Sequence, residues 1–228
     1  MAICDDAQHA GGFEADGYAI LPDIVPIACC NRLLDLIDAR EHSGAGSRRL
    51  LSEPLVAEVA AYLQTHPAIT GLLPIGARPV QCTLFAKTTG INWSVTPHQD
   101  LSVPVRQRVD APGWSGWSVK EGVTFAQPPL SVLQQLIAVR LQLDPDAATA
   151  GPLEVVPGSH RAGRLSTEAL KDYLDAPRLR CIVPKGGVLA MRPLLIHASG
   201  KASGGGLRRV LHFVFGPPLE GGLDWAEM

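Results

Sequence analysis

Apolar positions change their period once along this chain. Between residues 26 and 63 they recur at helical spacing, as Ile27, Cys30, Leu33, Leu34 and Ile37 and then Leu55, Val56, Val59 and Leu63. The spacing predicts two amphipathic helices. Pro26 opens the first, which Ser43-Gly44-Ala45-Gly46 ends; Ser52 N-caps the second, which His66-Pro67 breaks. From residue 79 the period shortens. Residues 79–87 and 136–144 alternate as strands do, and 153–156, 180–183, 188–191 and 207–215 are further short strand candidates. Turn signals separate them, at Asp144-Pro145, Pro157-Gly158, Lys185-Gly186-Gly187 and Ser203-Gly204-Gly205-Gly206. A short helix from Ser166 is inserted among them. Short strands without β–helix–β alternation predict a mainly β domain, a jelly roll or barrel with flanking helices. The helical part covers about 12–70 and the β core about 79–216. Residues 101–129 hold Trp114, Trp117 and several prolines but no sustained period, and are read as one long loop packed down as a lid.

Composition narrows the classes. At 228 residues, 46% hydrophobic and 18% charged, the chain suits one domain with a sizeable core. A net charge of −2 argues against a nucleic-acid footprint. The five cysteines are odd in number and lack C-x-x-C spacing, which disfavours a disulfide framework or zinc ribbon and points to a reducing compartment. The N-terminal residues have no apolar core of a secretory signal, and no apolar run is long enough to span a bilayer. The expectation is a cytoplasmic protein with neither membrane nor nucleic-acid partners, of open oligomeric state.

Of seven histidines only His98 has a carboxylate two residues later, Asp100. Chance supplies roughly one such pair in a chain like this, so the motif alone is weak. Its chemistry is specific, however. On an extended segment residues i and i+2 project to the same side, so His98 and Asp100 can ligate one metal. A distant second histidine completes a 2-His-1-carboxylate face with open positions, the ligand set of non-haem Fe(II). His160, His197 and His212 are the downstream candidates. Only His197 is followed at the next strand by an oxo-acid anchor, Arg208, whose guanidinium fork matches a buried carboxylate.

His98-x-Asp100, His197 and Arg208 eleven residues later resemble the phytanoyl-CoA dioxygenase-like family of Fe(II)/2-oxoglutarate oxygenases. So do Phe13-Glu14-Ala15-Asp16-Gly17-Tyr18 with Leu21-Pro22, Lys87, Arg140-x-x-Leu143-Asp144 and Gly151-Pro152-Leu153…Pro157-Gly158-Ser159-His160. Thr149-Ala150 stands where many relatives carry Asn. The resemblance implies a double-stranded β-helix of the cupin kind, iron held by His98, Asp100 and His197 as the catalytic centre, and 2-oxoglutarate and O2 as cosubstrates. It also implies oxidation of a small molecule with release of succinate and CO2, and a hydrogen bond from Ser199 to the cosubstrate's distal carboxylate. A barrel of this kind also serves as a non-catalytic sensor or accessory protein; the oxo-acid anchor favours the enzyme. Asp100 fills the position that halogenating relatives leave open, so hydroxylation or a related oxidation is expected.

Other residues carry two readings. Gln81, Thr83 and Lys87 share one face of their strand, as do Arg140 and Gln142 on theirs; each face meets either a ligand cavity or solvent. The first three are candidate cosubstrate contacts. Arg140 and Gln142 are candidate substrate contacts, and Trp93, Trp114 and Trp117 are either pocket walls or core. Arg106, Arg108 and Lys120 read as a solvated charge run, and His160 and His212 as structural or supporting histidines. In 207–215, Leu207, Arg209, Leu211, Phe213 and Phe215 form one face; Arg208, Val210, His212 and Val214 form the other. On hydropathy alone the first face, with Arg209, would point into the core. The polar residues of the second face and the family's spacing of Arg208 from His197 instead turn Arg208 inward. This sets the greasy face against a covering layer and lets Arg209 reach solvent.

Overall fold

A computed structural model describes residues 12–39, 47–87, 92–145, 148–203 and 207–227. The stop at Ser43-Gly44-Ala45-Gly46 and the Gly204-Gly205-Gly206 turn lie outside these residues. Helices are α1 (Phe13–Asp16), α2 (Ile27–Asp38), α3 (Pro54–Thr65), α4 (Pro67–Thr70), α5 (Leu130–Leu133) and α6 (Thr167–Lys171). Strands are β1 (Tyr18–Leu21), β2 (Arg78–Lys87), β3 (Val95–His98), β4 (Val103–Val105), β5 (Ser115–Lys120) and β6 (Val123–Gln127). They continue with β7 (Ile137–Gln142), β8 (Leu153–Val155), β9 (Leu179–Cys181), β10 (Val188–Met191), β11 (His197–Ser199) and β12 (Arg208–Gly216).

The fold is a jelly roll. A five-stranded sheet, β1-β10-β7-β12-β2, and a four-stranded sheet, β3-β11-β8-β9, both antiparallel, form the barrel. The outer face of the larger sheet is apolar. Cys82, Leu84, Val139, Leu141, Leu211, Phe213 and Phe215 bury against Leu33 and Ile37 of α2 and Val59 and Leu63 of α3. The greasy face of β12 therefore meets the helical cover, as its parity predicts. Burying a side chain of this size is worth about 1.5–3 kcal/mol, which makes this layer the main stabilising contact. On the inner face Ala138, Leu189 and Met191 meet Leu153, Val155 and Cys181 of the smaller sheet.

Two expectations need correction. Residues 101–129 are not one loop, because β4, β6 and β5 pair into a third, three-stranded antiparallel sheet. The β5–β6 turn has positive φ at both Glu121 (50°) and Gly122 (77°), the backbone a tight hairpin requires. Glu121 is held there by Arg48, whose backbone N–H and guanidinium donate to its carboxylate at 3.0 and 2.9 Å. Ser52 does not cap α3: it lies in a 3-10 turn and donates to the Arg49 carbonyl at 2.9 Å, and the helix opens at Pro54.

The N-terminal opening and the Pro-Gly-Ser-His segment lock together. Gly158 N–H donates to the Asp16 carbonyl at 2.9 Å and Arg192 N–H to the Gly17 carbonyl at 2.8 Å. Gly17 has φ +80°, and a Cβ there would lie 2.3 Å from His160 Nδ1. Only glycine lets the imidazole pack so close. Next to it, Ile196 N–H donates to Ser159 Oγ at 2.9 Å, fixing the chain one residue before His197. Cys29, Cys30, Cys82 and Cys181 are free thiols. No helix among the described residues is long and apolar enough to cross a membrane.

Candidate metal centre

β3 and β11 pair with His98 opposite His197, and the two imidazole centroids are 4.2 Å apart. Asp100 follows β3 and donates its backbone N–H to the Pro193 carbonyl at 2.9 Å, which ties it to the turn leading into β11. Its carboxylate lies 3.7 Å from His98 Nε2 and 3.5 Å from His197 Nε2. One ligand atom from each of the three residues lies within 4.8 Å of the others. Nδ1 of His98 is 2.9 Å from the Thr96 carbonyl, and Nδ1 of His197 is 2.9 Å from the Leu195 carbonyl. A carbonyl only accepts, so each Nδ1 carries the proton and each Nε2 turns a lone pair to the cluster. Burial, partly opposed by Asp100, pushes His197 down to about 4, so it is neutral and able to ligate at pH 7. Desolvation works against ionised Asp100, but His197, His212, His98 and Arg140 outweigh it and hold the carboxyl below its ordinary value.

Gln99, between the two ligands, points the other way. Its amide nitrogen donates to the carbonyls of Gly163 (2.8 Å) and Leu194 (2.7 Å), and its oxygen accepts from Leu165 N–H at 2.9 Å. This buried clamp fixes the plane of the His98–Asp100 segment.

The inner face of the larger sheet supplies the rest. Register places Lys87 opposite Arg208, Thr83 opposite His212, and Arg140 opposite His212 on the other flank. Lys87 is 1%, Arg208 5% and Arg140 8% exposed, and Thr83 and Gln142 are buried too, so these residues do not face solvent; Gln81 is half-buried. Lys87 Nζ donates to Ser199 Oγ at 3.2 Å and to the Gly200 carbonyl at 2.6 Å. Arg140 donates to His212 Nδ1 at 2.9 Å, and Arg208 Nε has no partner among the described residues. No carboxylate among the described residues bonds these three cations. Burial and Arg140 hold Arg208 down to about 10; burial, Arg208 and Arg140 hold Lys87 down to about 8. A cavity between the sheets is lined by Arg140, Gln142 and Arg208 together with Leu153, Leu189 and Val210. Asp100 partly offsets the charge of Arg140, but no acidic group among the described residues does so for Arg208 or Lys87. Buried cations without counter-charge cost free energy, and a bound anion offsets that cost.

Residues 13–210 match the family model of phytanoyl-CoA dioxygenase. The chain belongs to the phytanoyl-CoA dioxygenase family. No curated protein sequence matches it. Among solved structures, HygX from Streptomyces hygroscopicus, crystallised with nickel and 2-oxoglutarate, superposes with a TM-score of 0.63 at 15% identity, covering 90% of this chain and 84% of its own. AviO1 from Streptomyces viridochromogenes gives 0.59 at 22% identity over 96% and 97%. SnoK, a non-heme alpha-ketoglutarate-dependent carbocyclase from nogalamycin biosynthesis, gives 0.61 at 16% over 90% and 81%. At these identities the likeness shows the shared fold.

Within this member of the phytanoyl-CoA dioxygenase family the other expected residues divide. Ser199 and Lys87 stand beside Arg208, and Lys87 Nζ lies 5.5 Å from the Trp93 ring centroid. Gln81 bonds Thr83 Oγ1 at 2.7 Å. Gln81 lies six residues before Lys87, about 20 Å along the strand, so it stands apart from the Arg208 end. Trp114 and Trp117 stack on each other at 6.3 Å, and Trp114 packs on Val103, Leu194 and Trp225 rather than on the histidines. Arg209, expected to reach solvent, instead pairs with buried Asp144 at 2.8 Å and with Asp38 at 2.6 Å, its side chain 12% exposed. Arg106 pairs with Asp224 at 2.9 Å. His160 is structural. His212 is more than that: Nε2 lies 3.9 Å from Asp100. The signal that reveals it is the even spacing Arg208-x-x-x-His212, which puts both on the inner face.

Proposed function

We propose that this chain is an Fe(II)- and 2-oxoglutarate-dependent dioxygenase that hydroxylates a small molecule with release of succinate and CO2. One observation carries the reading: Lys87, Arg140 and Arg208 are buried with no bonded carboxylate among the described residues, on the sheet face whose His212 lies 3.9 Å from Asp100. Two neutral imidazole nitrogens and one carboxylate oxygen fit a non-haem Fe(II) with positions left open. The bound iron and cosubstrate supply dioxygen activation and oxidative decarboxylation. The protein's own part is binding and orientation. His98, Asp100 and His197 hold the metal. Arg208 takes the distal carboxylate through two parallel charge-assisted bonds, with Ser199 as hydroxyl donor and Lys87 as second cation. Arg140 and Gln142 line the cavity between these ends. The register leaves Thr83 and Gln81 on the side away from Arg208, where we place the substrate, and the β4-β6-β5 sheet acts as the lid that excludes water. Asp100 in the ligand set supports hydroxylation over halogenation.

A protein that only senses 2-oxoglutarate shares the anchor but releases no product. Succinate formation with Fe(II), 2-oxoglutarate and a broad substrate panel separates the two. We expect slow uncoupled succinate release, abolished in His98→Ala and Asp100→Ala with the fold intact. Saturable 2-oxoglutarate binding with no succinate on any substrate overturns the enzyme in favour of the sensor.

A further inference from the structure

We propose that Arg140 and His212 form a positioning pair for Asp100, in which Arg140 fixes His212 as a hydrogen-bond donor to the carboxylate and so keeps a third histidine out of the ligand set. The inference rests on reading His98, Asp100 and His197 as a metal centre. His212 is a candidate for a fourth protein ligand by distance alone, with Nε2 3.9 Å from Asp100 on the same wall. Tautomer decides otherwise. A guanidinium has donors and no acceptor, so at 2.9 Å from Arg140 Nη1 the His212 Nδ1 must accept. With Nδ1 accepting from a guanidinium, the only proton the ring carries sits on Nε2. That protonated Nε2 stands 3.9 Å from the Asp100 carboxylate, just beyond hydrogen-bond distance, and has no lone pair to offer a metal. His98 and His197 show the opposite arrangement, with Nδ1 protonated by carbonyl acceptors and Nε2 free. Three imidazoles thus surround one carboxylate, two oriented to ligate and one to donate.

The rest of the environment holds this orientation. Phe85 meets the His212 ring edge-on at 5.7 Å, and the Arg140 guanidinium lies 5.2 Å from the Phe85 ring centroid. Arg140 is therefore held by an aromatic face as well as by the imidazole. A donor to Asp100 would orient the carboxylate and engage one of its two oxygens, leaving the other for a metal held with His98 and His197.

The test is Co(II) binding to the metal-free full-length protein, read by titration and by its visible absorption, without 2-oxoglutarate. His212→Phe keeps a ring and removes the donor; it should weaken Co(II) binding about 10–100-fold, the size typical for loss of an outer partner of a metal ligand. His212→Gln returns an N–H and should recover most of that loss, which a purely structural role would not produce. Arg140→Met frees His212 to turn a lone pair inward, so its Co(II) spectrum should differ from wild type. The Arg140→Met/His212→Phe double variant should return the spectrum toward the wild-type form. Wild-type affinity in a folded His212→Phe protein, or an unchanged spectrum in Arg140→Met, overturns the proposal. If His212→Phe does not fold, no recovery of binding in His212→Gln, relative to a folded His212→Leu, overturns it equally. Failure of the unaltered protein to bind Co(II) at all overturns the metal-centre reading instead.

Discussion

The two faces of the five-stranded sheet solve opposite problems with the same strands. Outside, Leu211 and Phe213 pack on helices, and the charged residue of that face, Arg209, is neutralised by Asp144 and Asp38. Inside, Arg208, Arg140 and Lys87 are at least as buried, and no carboxylate among the described residues bonds them. Neighbouring arginines in one strand therefore differ only in what each face provides. The outer face is finished by folding, whereas the inner face, on the proposed function, is finished by a ligand. The difference teaches that burial of charge marks function here only where the counter-charge is missing.

Exchanging the fates of the two arginines is the sharpest way to break this contrast. Arg209→Ala leaves buried Asp144 with the backbone N–H of residue 209 but no counter-charge and should lower unfolding stability by about 3 kcal/mol, measured by urea denaturation, while 2-oxoglutarate affinity changes only a few-fold. Arg208→Ala should do the reverse. Binding of 2-oxoglutarate should weaken by about 2–5 kcal/mol as its carboxylate loses the fork, with no loss of stability in the ligand-free protein. Arg208→Met, which also fills the space, should raise the melting temperature of that ligand-free form. Equal stability losses at both positions would erase the distinction between the faces.

The smallest effect is a pH slope. Lys87 titrates near 8 in the folded protein, against 10.5 for an unperturbed lysine, through burial and the two guanidiniums. Between these values the unfolded chain binds more protons than the folded one, so this group adds stability as pH rises from about 8 to 10.5. Wild type should therefore gain stability relative to Lys87→Met across that window. Saturating 2-oxoglutarate should flatten the difference by returning the missing negative charge. A wild-type-minus-variant profile that falls with pH would place the charge balance of this face wrongly.

The sequence made some of this legible for identifiable reasons. Strand β10 falls at residues 188–191 as its apolar run predicts, and β12 shows its parity because nine paired residues give alternation room to appear. The jelly roll and the His98, Asp100, His197 cluster follow the resemblance. The 101–129 sheet was hidden because its strands are short and atypical. β4 is Val-Pro-Val, buried at every position, and β5 carries Ser and Gly with mixed exposure, so neither shows a clean period. Arg209 was misjudged because its partners are remote in sequence: Asp38 ends α2 and Asp144 follows β7. His212 needed two facts that one strand does not contain, its register with Arg140 and the direction of the hydrogen bond between them.

The pairing of His98 with His197 has a temporal consequence as well. It joins positions about one hundred residues apart, so closing it is a long-range event that comes late when contacts form in order of loop length. A chain emerging from the ribosome with only its first 190 residues has His98 and Asp100 but neither the second imidazole nor the arginine fork. Such an intermediate holds two of the three proposed ligands and no proposed cosubstrate anchor. On the proposed ligand set the three metal ligands are all present only once synthesis has passed β11, and the cosubstrate anchor only once it has entered β12.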